Sequence, residues 1–333
     1  LFAVIFWPTG TKVKLNPKRT IRTLNLPFKQ IMYPSISADG NWIAFPAVDA
    51  NGDWNIYLSH SSSGEAPVSL INEKKQFIWS AEISPDGSYV LYGTAYPWST
   101  RIIPSSGGIP KIFDITWGDI QWRPDGSRLG GIIGGNINDT VPSEFWTFSP
   151  DGTDRRKEFT DKADEYLFRN FGFAWAPDGK SVAWLRDFKE GGGYQEIYTH
   201  NLETGEEKQI TFAKSNIEAL CWSYQNVIIF SATISGPLNL WMVPADGGEL
   251  TQITFGDGPD GPPRISKDGQ KIIFPKMKMI GQIYTIPITG GEPKLVIAGE
   301  QTIWWPGARL SPDGSLVAVN VGDLRGGWVG AES

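Results

Sequence analysis

A short Asp-Gly turn recurs along the whole chain, each time between two apolar segments that resemble strands. Six copies are intact, and their aspartates lie 47, 39, 53, 90 and 45 residues apart. They are Ser37–Gly40, Ser84–Gly87, Arg123–Gly126, Ala176–Gly179, Ser266–Gly269 and Ser311–Gly314. The 90-residue interval is twice the usual one, and near its middle Cys221–Asn226 is a seventh copy without the Asp-Gly pair. A period of about 40–50 residues in a sequence of strands and turns is typical of a β-propeller.

The repeat count predicts an all-β fold, a single seven-bladed β-propeller of four-stranded antiparallel blades over residues 20–333. The second repeat shows the unit clearly, with strands predicted at Ala81–Ile83, Tyr89–Tyr92, Thr100–Ile103 and Pro110–Phe113. In the turn between the first two strands, proline presets φ, aspartate accepts hydrogen bonds from nearby amides, and glycine supplies a positive φ.

The two ends of the chain predict how the ring is closed. The last repeat ends after its third strand, at Gly327–Gly330, and so lacks an outer strand. The segment Thr20–Leu26 precedes the first inner strand and has no blade of its own. We expect this N-terminal strand to pair with the Trp328 strand in the last blade, because an open ring would leave an exposed edge. The alternative is that the segment is only a linker.

Residues 1–19 form a separate N-terminal segment that is first apolar and then basic. Leu1–Trp7 is apolar throughout, but seven residues are too few to cross a bilayer, which takes about 20. It is either the end of a membrane helix that begins upstream of Leu1 or a strand packed on the propeller. The basic residues Lys12, Lys14 and Lys18 that follow do not support export, since such residues usually flank the cytoplasmic side of a membrane helix.

An apolar side chain always stands immediately before each of these four-residue segments, two residues ahead of the turn itself. These residues are Ile36, Ile83, Trp122, Trp175, Trp222, Ile265 and Leu310. We expect them to pack between neighbouring blades, which accounts for much of the high tryptophan content.

Charge and composition restrict the partners. The net charge is −6 and the isoelectric point is about 5.1, so we predict no nucleic-acid partner. The single cysteine, Cys221, excludes an intrachain disulfide.

Motifs for catalysis or cofactor binding are weak. There is no Gly-x-Ser-x-Gly nucleophile elbow, and the two histidines, His60 and His200, fall at strand ends. Gly256–Gly261 fits a dinucleotide-binding string, but Pro262 and Pro263 follow where a helix is needed, so we interpret it as a turn. We predict no cofactor and no catalytic residue.

A weak calcium-loop candidate is formed by Asp49, Asn51 and Asp53, although His60 stands where the twelfth-position acid is required.

The channel mouth is the predicted binding site, because the inner strands of all blades begin on that face of the ring. The candidate ligand-binding residues there are Tyr33, Trp117, Asp119, Phe171, Glu218, Asp260, Trp304 and Trp305. Trp79, Asn170, Asn216 and Asp257 fall at the same level of the repeat. Aromatic side chains beside carboxylates suit a sugar, a peptide or a cationic ligand. Packing between blades is the competing interpretation for most of the aromatic residues.

The Asp-Gly turns, together with the Gly-Gly-Glu turns at Asp246–Glu249 and Thr289–Glu292, resemble the TolB-type propeller repeat. The resemblance covers about residues 20–333 and implies periplasmic protein binding at the channel mouth. Val13–Pro17, Ile43–Ala47 and Asn51–Tyr57 are also similar to extracytoplasmic propellers of some bacterial membrane-anchored Ser/Thr kinases. That second resemblance implies a kinase and a membrane helix upstream of Leu1.

Three functions are compatible with these observations. The first is a non-enzymatic, extracytoplasmic sensor or interaction domain that binds a peptide, protein or glycan at the channel mouth. Such a domain could stand alone or be held by a membrane anchor upstream of Leu1. The second is a propeller enzyme of the lyase or hydrolase type, with a metal or with Asp119, Glu218 and Asp260 as its channel carboxylates. The third is a structural subunit whose propeller associates with copies of itself.

Overall fold

The computed structural model describes most of the chain between Phe2 and Ala331. The described residues are 2–6, 20–24, 26–28, 30–62, 65–71, 76–95, 98–113, 120–133, 144–160, 172–188, 193–276, 281–285, 292, 294–299, 309–310, 317–321 and 327–331. Within these ranges every regular element is a β-strand, and no helix is present that could cross a membrane.

The first sheet contains five strands, since two short segments both pair with its first long strand. It consists of β3 (Gln30–Ile31), β4 (Ser35–Ile36), β5 (Trp42–Val48), β6 (Trp54–His60) and β7 (Val68–Ser69). Both β3 and β4 lie antiparallel to β5, and β6 and β7 continue the sheet outward.

Four further sheets follow in chain order, and each has four antiparallel strands. The first of them contains β8 (Phe77–Ile83), β9 (Tyr89–Ala95), β10 (Ser99–Pro104) and β11 (Lys111–Phe113). The next contains β12 (Ile120–Trp122), β13 (Leu129–Ile133), β14 (Glu144–Phe148) and β15 (Arg156–Thr160). It is followed by β16 (Phe173–Trp175), β17 (Ser181–Phe188), β18 (Tyr194–Asn201) and β19 (Glu207–Gln209). The last contains β20 (Ile217–Ser223), β21 (Val227–Ala232), β22 (Asn239–Pro244) and β23 (Thr251–Gln252).

A fifth four-stranded sheet is built from two distant parts of the chain. Its inner strands are β24 (Arg264–Ile265) and β25 (Lys271–Pro275), and its outer strands are β1 (Phe2–Phe6) and β2 (Ile21–Leu24). The remaining strands pair among themselves, β26 (Gly281–Thr285) with β27 (Lys294–Gly299), and β28 (Arg309–Leu310), β29 (Val317–Val321) and β30 (Gly327–Ala331) in chain order.

The prediction of seven four-stranded blades is wrong. The described residues form five four-stranded blades, beside the five-stranded first sheet and the two smaller sheets. The reason is that β1 pairs with β25 over five residues and takes the edge that the third strand of the sixth repeat was expected to occupy. That third strand, β26, pairs with β27 instead.

The predicted ring closure in the last blade is also wrong. The N-terminal strand β2 lies antiparallel to β1, whereas the Trp328 strand, β30, pairs with β29. The ring is joined at another place. The amide of Lys267 donates to the carbonyl of Ala38 at 2.9 Å, and Lys271 Nζ donates to the carbonyl of Gly40 at 2.8 Å. These bonds connect the sheet of β25 with the first sheet.

Side-chain hydrogen bonds also connect neighbouring sheets elsewhere in the ring. In three successive sheets the linking residue stands immediately before the apolar residue that precedes the turn. Ser35 Oγ accepts from the amide of Ile83 at 2.9 Å, and Glu82 Oε1 accepts from the amide of Trp122 at 2.8 Å. Gln121 Nε2 donates to the carbonyl of Phe173 at 2.7 Å. These residues therefore satisfy backbone groups of the next inner strand.

The Asp-Gly turns have the predicted geometry. In the second blade, Ser84 Oγ donates to Asp86 Oδ1 at 2.6 Å and accepts from the amide of Tyr89 at 2.9 Å. Gly87 follows with φ of 75°, a conformation that favours glycine. The hydrogen bond from Ser84 is the main reason why the pKa of Asp86 is lowered. The same arrangement recurs at Ser37–Trp42 and Ser266–Lys271.

The predicted packing between blades is confirmed for Ile36, Ile83, Trp122 and Trp175, all of which are less than a tenth exposed. The large indole ring of Trp175 fits between two blades because the facing residue, Gly130, has no side chain. A Cβ atom on Gly130 would lie 2.4 Å from Trp175 Cζ2, so the indole ring of one blade rests directly on the backbone of the preceding one. Burial of each such side chain contributes about 2 kcal/mol to folding.

Candidate functional site

The face of the ring on which the inner strands begin is called the mouth face here. In an antiparallel four-stranded sheet the fourth strand ends on the face where the next inner strand begins. The segments after β19 and β23 therefore both lie on the mouth face. Each contains a phenylalanine, Phe212 and Phe255, whose side chains are 75% and 66% exposed.

A repeated Gln-Ile-Thr-Phe motif places these two phenylalanines. In the earlier copy, Gln209 Nε2 donates to the carbonyl of Thr211 at 2.8 Å, and Ile210 is buried. The hydroxyl of Thr211 accepts from the amide of Ile197 at 2.8 Å and donates to Glu196 Oε2 at 2.5 Å. Because the threonine is fixed inward by both bonds, the residue after it is directed to solvent.

The later copy is built in the same way. Ile253 is buried, and Thr254 Oγ1 accepts from the amide of Leu240 at 2.8 Å. The same hydroxyl donates to Asp260 Oδ2 at 2.6 Å. Phe212 and Phe255 therefore occupy matching positions in two neighbouring blades.

Asp260, a predicted ligand-binding residue, has its carboxylate in the interior at 1% exposure. Besides the bond from Thr254, its Oδ1 atom lies 3.8 Å from Lys276 Nζ. Burial raises the pKa of Asp260, while the Thr254 hydroxyl and the Lys276 ammonium oppose that rise. Its carboxylate thus contacts groups of the fold rather than the surface of the mouth.

Tyr33 and Glu218 come from different blades and lie at the mouth, where both are partly exposed. Tyr33 forms a parallel bridge with Ser80 of the next blade. Burial, with a smaller effect of the Glu218 charge, raises the pKa of Tyr33 to about 12. Glu218 Oε1 accepts from Asn216 Nδ2 at 3.3 Å. The charge of Glu218 therefore acts on Tyr33, although the two side chains come from different blades.

A narrow cleft of about 20 Å³, partly open to solvent, lies inside the ring below the mouth. Its lining includes Tyr33, Trp79, Glu82 and Arg264, which come from three different sheets. Trp79 stands at an irregularity in the pairing of β8 with β9, and its ring lies against the backbone of Gly93. The cleft therefore has an aromatic wall and one charged group of each sign.

Glu82 and Arg264 occupy equivalent places in their inner strands, one residue before the apolar position. Burial raises the pKa of Glu82 to about 7, and the nearby Arg264 guanidinium and the amide of Trp122 oppose that rise. Burial also raises the pKa of Cys221, at the same place in its own strand, to about 12, so this thiol is protonated. Glu82 thus changes its charge near neutral pH.

The weak calcium-loop candidate forms a tight turn between β5 and β6. Asp49 Oδ1 accepts from the amides of Asn51 and Asp53, at 2.8 and 2.9 Å. This carboxylate therefore stabilises the turn itself, and calcium binding stays a prediction. Within the described residues, no group of three or more His, Cys, Asp or Glu side chains is arranged to hold a metal ion.

Five of the predicted mouth residues lie outside the described residues. They are Trp117, Asp119, Phe171, Trp304 and Trp305.

Sequence reasoning missed Phe212, Phe255 and Glu82. The repeated Gln-Ile-Thr-Phe string could have indicated the two phenylalanines, because an aromatic residue directly after the outer strand leaves the blade. Glu82 could have been found as the one acidic residue at its position in the inner strands.

Comparison with known proteins agrees with this architecture. A family model for the TolB beta propeller domain matches residues 170–324. The resemblance to TolB-type propellers is confirmed. An uncharacterized protein of Agrobacterium fabrum is 27% identical over 198 residues, which cover 57% of this chain and 63% of that relative. The chain thus spans less than two thirds of the length of the relative. The kinase resemblance stays a prediction.

Two solved structures share the fold. A propeller in the crystal structure of a nidogen/laminin complex has a TM-score of 0.57 at 15% identity, covering 82% of this chain and 98% of that one. The tricorn protease has a TM-score of 0.55 at 18% identity, covering 90% of this chain and 31% of that one. At these identities the chain shares only its fold with them, and one is a protease while the other was solved as a complex.

Proposed function

We propose that this TolB-type propeller is a non-enzymatic, extracytoplasmic binding domain that takes a peptide or protein partner on its mouth face. The observation that carries the proposal is the exposed pair Phe212 and Phe255, at matching positions in adjacent blades. Aromatic side chains are enriched in protein interfaces and supply much of the binding energy there. Both side chains are mostly exposed to solvent, and a partner on this face would cover them.

The groups around the two phenylalanines suit the polar rim of such an interface. Lys214 and Asp257 are exposed next to them, and Glu218 is partly exposed at the start of the neighbouring inner strand. An interface typically combines an apolar centre with a polar, accessible edge of both charges. A peptide with apolar side chains would thus find both elements here, and this favours a peptide or protein over a glycan.

Binding is favoured over catalysis because the two predicted channel carboxylates within the described residues are engaged in the fold. Asp260 is held by Thr254 and Lys276, and Glu218 accepts from Asn216. The extracytoplasmic location is supported by the resemblance to TolB-type propellers, which implies a periplasmic setting.

The test is a selection of peptides from a random display library on the immobilised protein, followed by affinity measurements with the selected peptides. We expect the substitutions Phe212→Ser and Phe255→Ser each to weaken binding by about tenfold, the loss of one aromatic anchor. The matched control is Ile109→Ser, which removes an apolar side chain that is 92% exposed on the opposite face. Equal weakening by the control, or full affinity of the Phe212→Ser/Phe255→Ser double variant, would contradict the proposal.

A further inference from the structure

The opposite face of the ring, which carries the Asp-Gly turns, contains a second cleft between the blades of β16–β19 and β20–β23. It is open to solvent, has a volume of about 410 Å³, and is bounded by the turns of both blades. One of these turns is Ser223–Asn226, the copy of the repeat without an Asp-Gly pair.

That altered turn keeps its backbone and changes its side chains. The amide of Asn226 donates to the carbonyl of Ser223 at 3.0 Å, as the amide of Gly179 does to the carbonyl of Ala176 at 2.8 Å. Asn226 has φ of 58°, close to the 69° of Gly179. Because the backbone is maintained, the fold does not require Tyr224, which stands where the intact turns of blades two to four have proline. Tyr224 is 39% exposed and lines the cleft.

Trp222 forms the second aromatic surface of the cleft. The equivalent Trp122 and Trp175 are buried, whereas Trp222 is partly exposed. One part of its ring packs against the core cluster, and its Nε1 atom donates to Asn226 Oδ1 at 3.3 Å. The indole is therefore fixed in orientation while part of it faces the cleft.

The polar groups around these rings are predominantly negative. Among the residues that line the cleft, Asp178, Glu206 and Asp246 are exposed, against the single ammonium group of Lys208. Lys208 Nζ donates to the main-chain carbonyl of Asp246 at 2.8 Å, which keeps it at one side. Aromatic faces beside carboxylates attract cations both through the ring quadrupole and through charge. Tyr224 already has such a contact within the chain, since Lys267 Nζ lies 5.7 Å from the centre of its ring.

We propose that this cleft binds a guanidinium or ammonium group, which would lie against Trp222 and Tyr224 with Asp178, Glu206 and Asp246 as counter-charges. Arginine fits best, because its planar guanidinium stacks on aromatic rings and pairs with carboxylates. The group could belong to a small cationic molecule or to a basic peptide. This site is on the other face from Phe212 and Phe255, so the proposal does not depend on the one made for the mouth face.

The test measures binding of N-acetyl-arginine amide to the whole protein by calorimetry or NMR titration, at low salt. Its matched neutral probe is N-acetyl-citrulline amide, in which a urea replaces the guanidinium. We expect the arginine probe to bind at least tenfold more tightly than the citrulline probe. We also expect at least threefold weakening of arginine binding by Glu206→Gln and by Tyr224→Pro, which restores the residue of the intact turns.

The control variant is Glu65→Gln, which removes one exposed carboxylate far from the cleft and should leave affinity unchanged. A tetra-arginine peptide that binds more than tenfold more tightly than the single amide would assign the site to basic peptides. Equal affinities of these two probes would assign it to small cations. Equal binding of arginine and citrulline amides, or unchanged arginine binding in Glu206→Gln, would overturn the proposal.

Discussion

The turn face and the mouth face of the ring are built from the same strands but use their side chains differently. On the turn face, Ser84 and Asp86 hydrogen-bond to each other and to nearby amides, and two other turns repeat the arrangement. On the mouth face, Thr211 and Thr254 fix the backbone in a similar way, yet the residue after each is an exposed phenylalanine.

The difference separates side chains that stabilise the fold from those that do not. A repeated residue whose polar atoms satisfy the backbone is explained by folding alone. A repeated aromatic residue that remains two thirds or more exposed has no such explanation, and a partner can supply one. We therefore expect substitutions at interior and turn positions to lower the free energy of unfolding more than substitutions of Phe212 and Phe255.

The largest effect is expected for Gly130→Ala in the interior. The new Cβ atom would lie 2.4 Å from Trp175 Cζ2 and 2.9 Å from Phe145 Cζ, both in rigid, buried rings. We expect a loss of about 3 kcal/mol in the free energy of unfolding, measured by urea denaturation. The control is Gly87→Ala, which has open space around it but φ of 75°, and should cost only about 1 kcal/mol. A smaller loss for Gly130→Ala than for Gly87→Ala would contradict the described packing.

The two threonines of the mouth-face motif should differ in importance. Thr254→Val removes the hydrogen bond to the buried Asp260 carboxylate and should cost about 2 kcal/mol in denaturation experiments. Thr211→Val should cost about 1 kcal/mol, because Glu196 keeps the amides of Ala213 and Lys214 as donors at 3.1 and 2.7 Å. Equal losses in the two variants would show that these amides do not compensate.

Glu82 should make stability depend on pH in a defined window. Its pKa in the folded protein is about 7, above the ordinary value of 4.5, so folding favours the protonated form. The contribution is fully present below pH 4.5 and is lost as the pH rises through 7. Relative to Glu82→Gln, the wild-type protein should therefore lose stability between these values in denaturation curves at several pH values. Parallel dependence of the two proteins on pH would refute this assignment.

The smallest effect on folding is expected for the exposed pair. Phe212→Ser and Phe255→Ser should each change the free energy of unfolding by less than about 0.5 kcal/mol, as is usual for surface positions. Thermal and urea denaturation of both variants would measure this directly. A loss comparable to that of Thr254→Val would mean that the phenylalanines serve the fold, and the comparison between the two faces would fail.

The sequence predicted the local units of the fold well, because each turn is determined by a few neighbouring residues. The eroded copy at Cys221–Asn226 is a turn between β20 and β21, as its spacing indicated. The number of blades was not predictable from repeat counting. Strand pairing depends on which segment reaches an edge, and β1, from the opposite end of the chain, occupies the edge of β25.

Ligand binding at the predicted mouth residues stays a prediction. Tyr33 and Glu218 both stand at the beginning of an inner strand and are partly exposed. Asp260 stands in a similar place, but Thr254 and Lys276 hold its carboxylate inside. The sequence pattern gives the level of a residue along a strand, whereas the direction of its side chain depends on partners that are distant in sequence.

The most direct test of the mouth-face proposal is to locate a selected peptide by photocrosslinking. A photoreactive phenylalanine analogue would be placed at Phe212 or Phe255, and at the exposed Ile109 or Ile112 on the second blade as the comparison. The account predicts crosslinks from positions 212 and 255 and none from positions 109 and 112. Crosslinks from the second-blade positions, without any from 212 or 255, would contradict it.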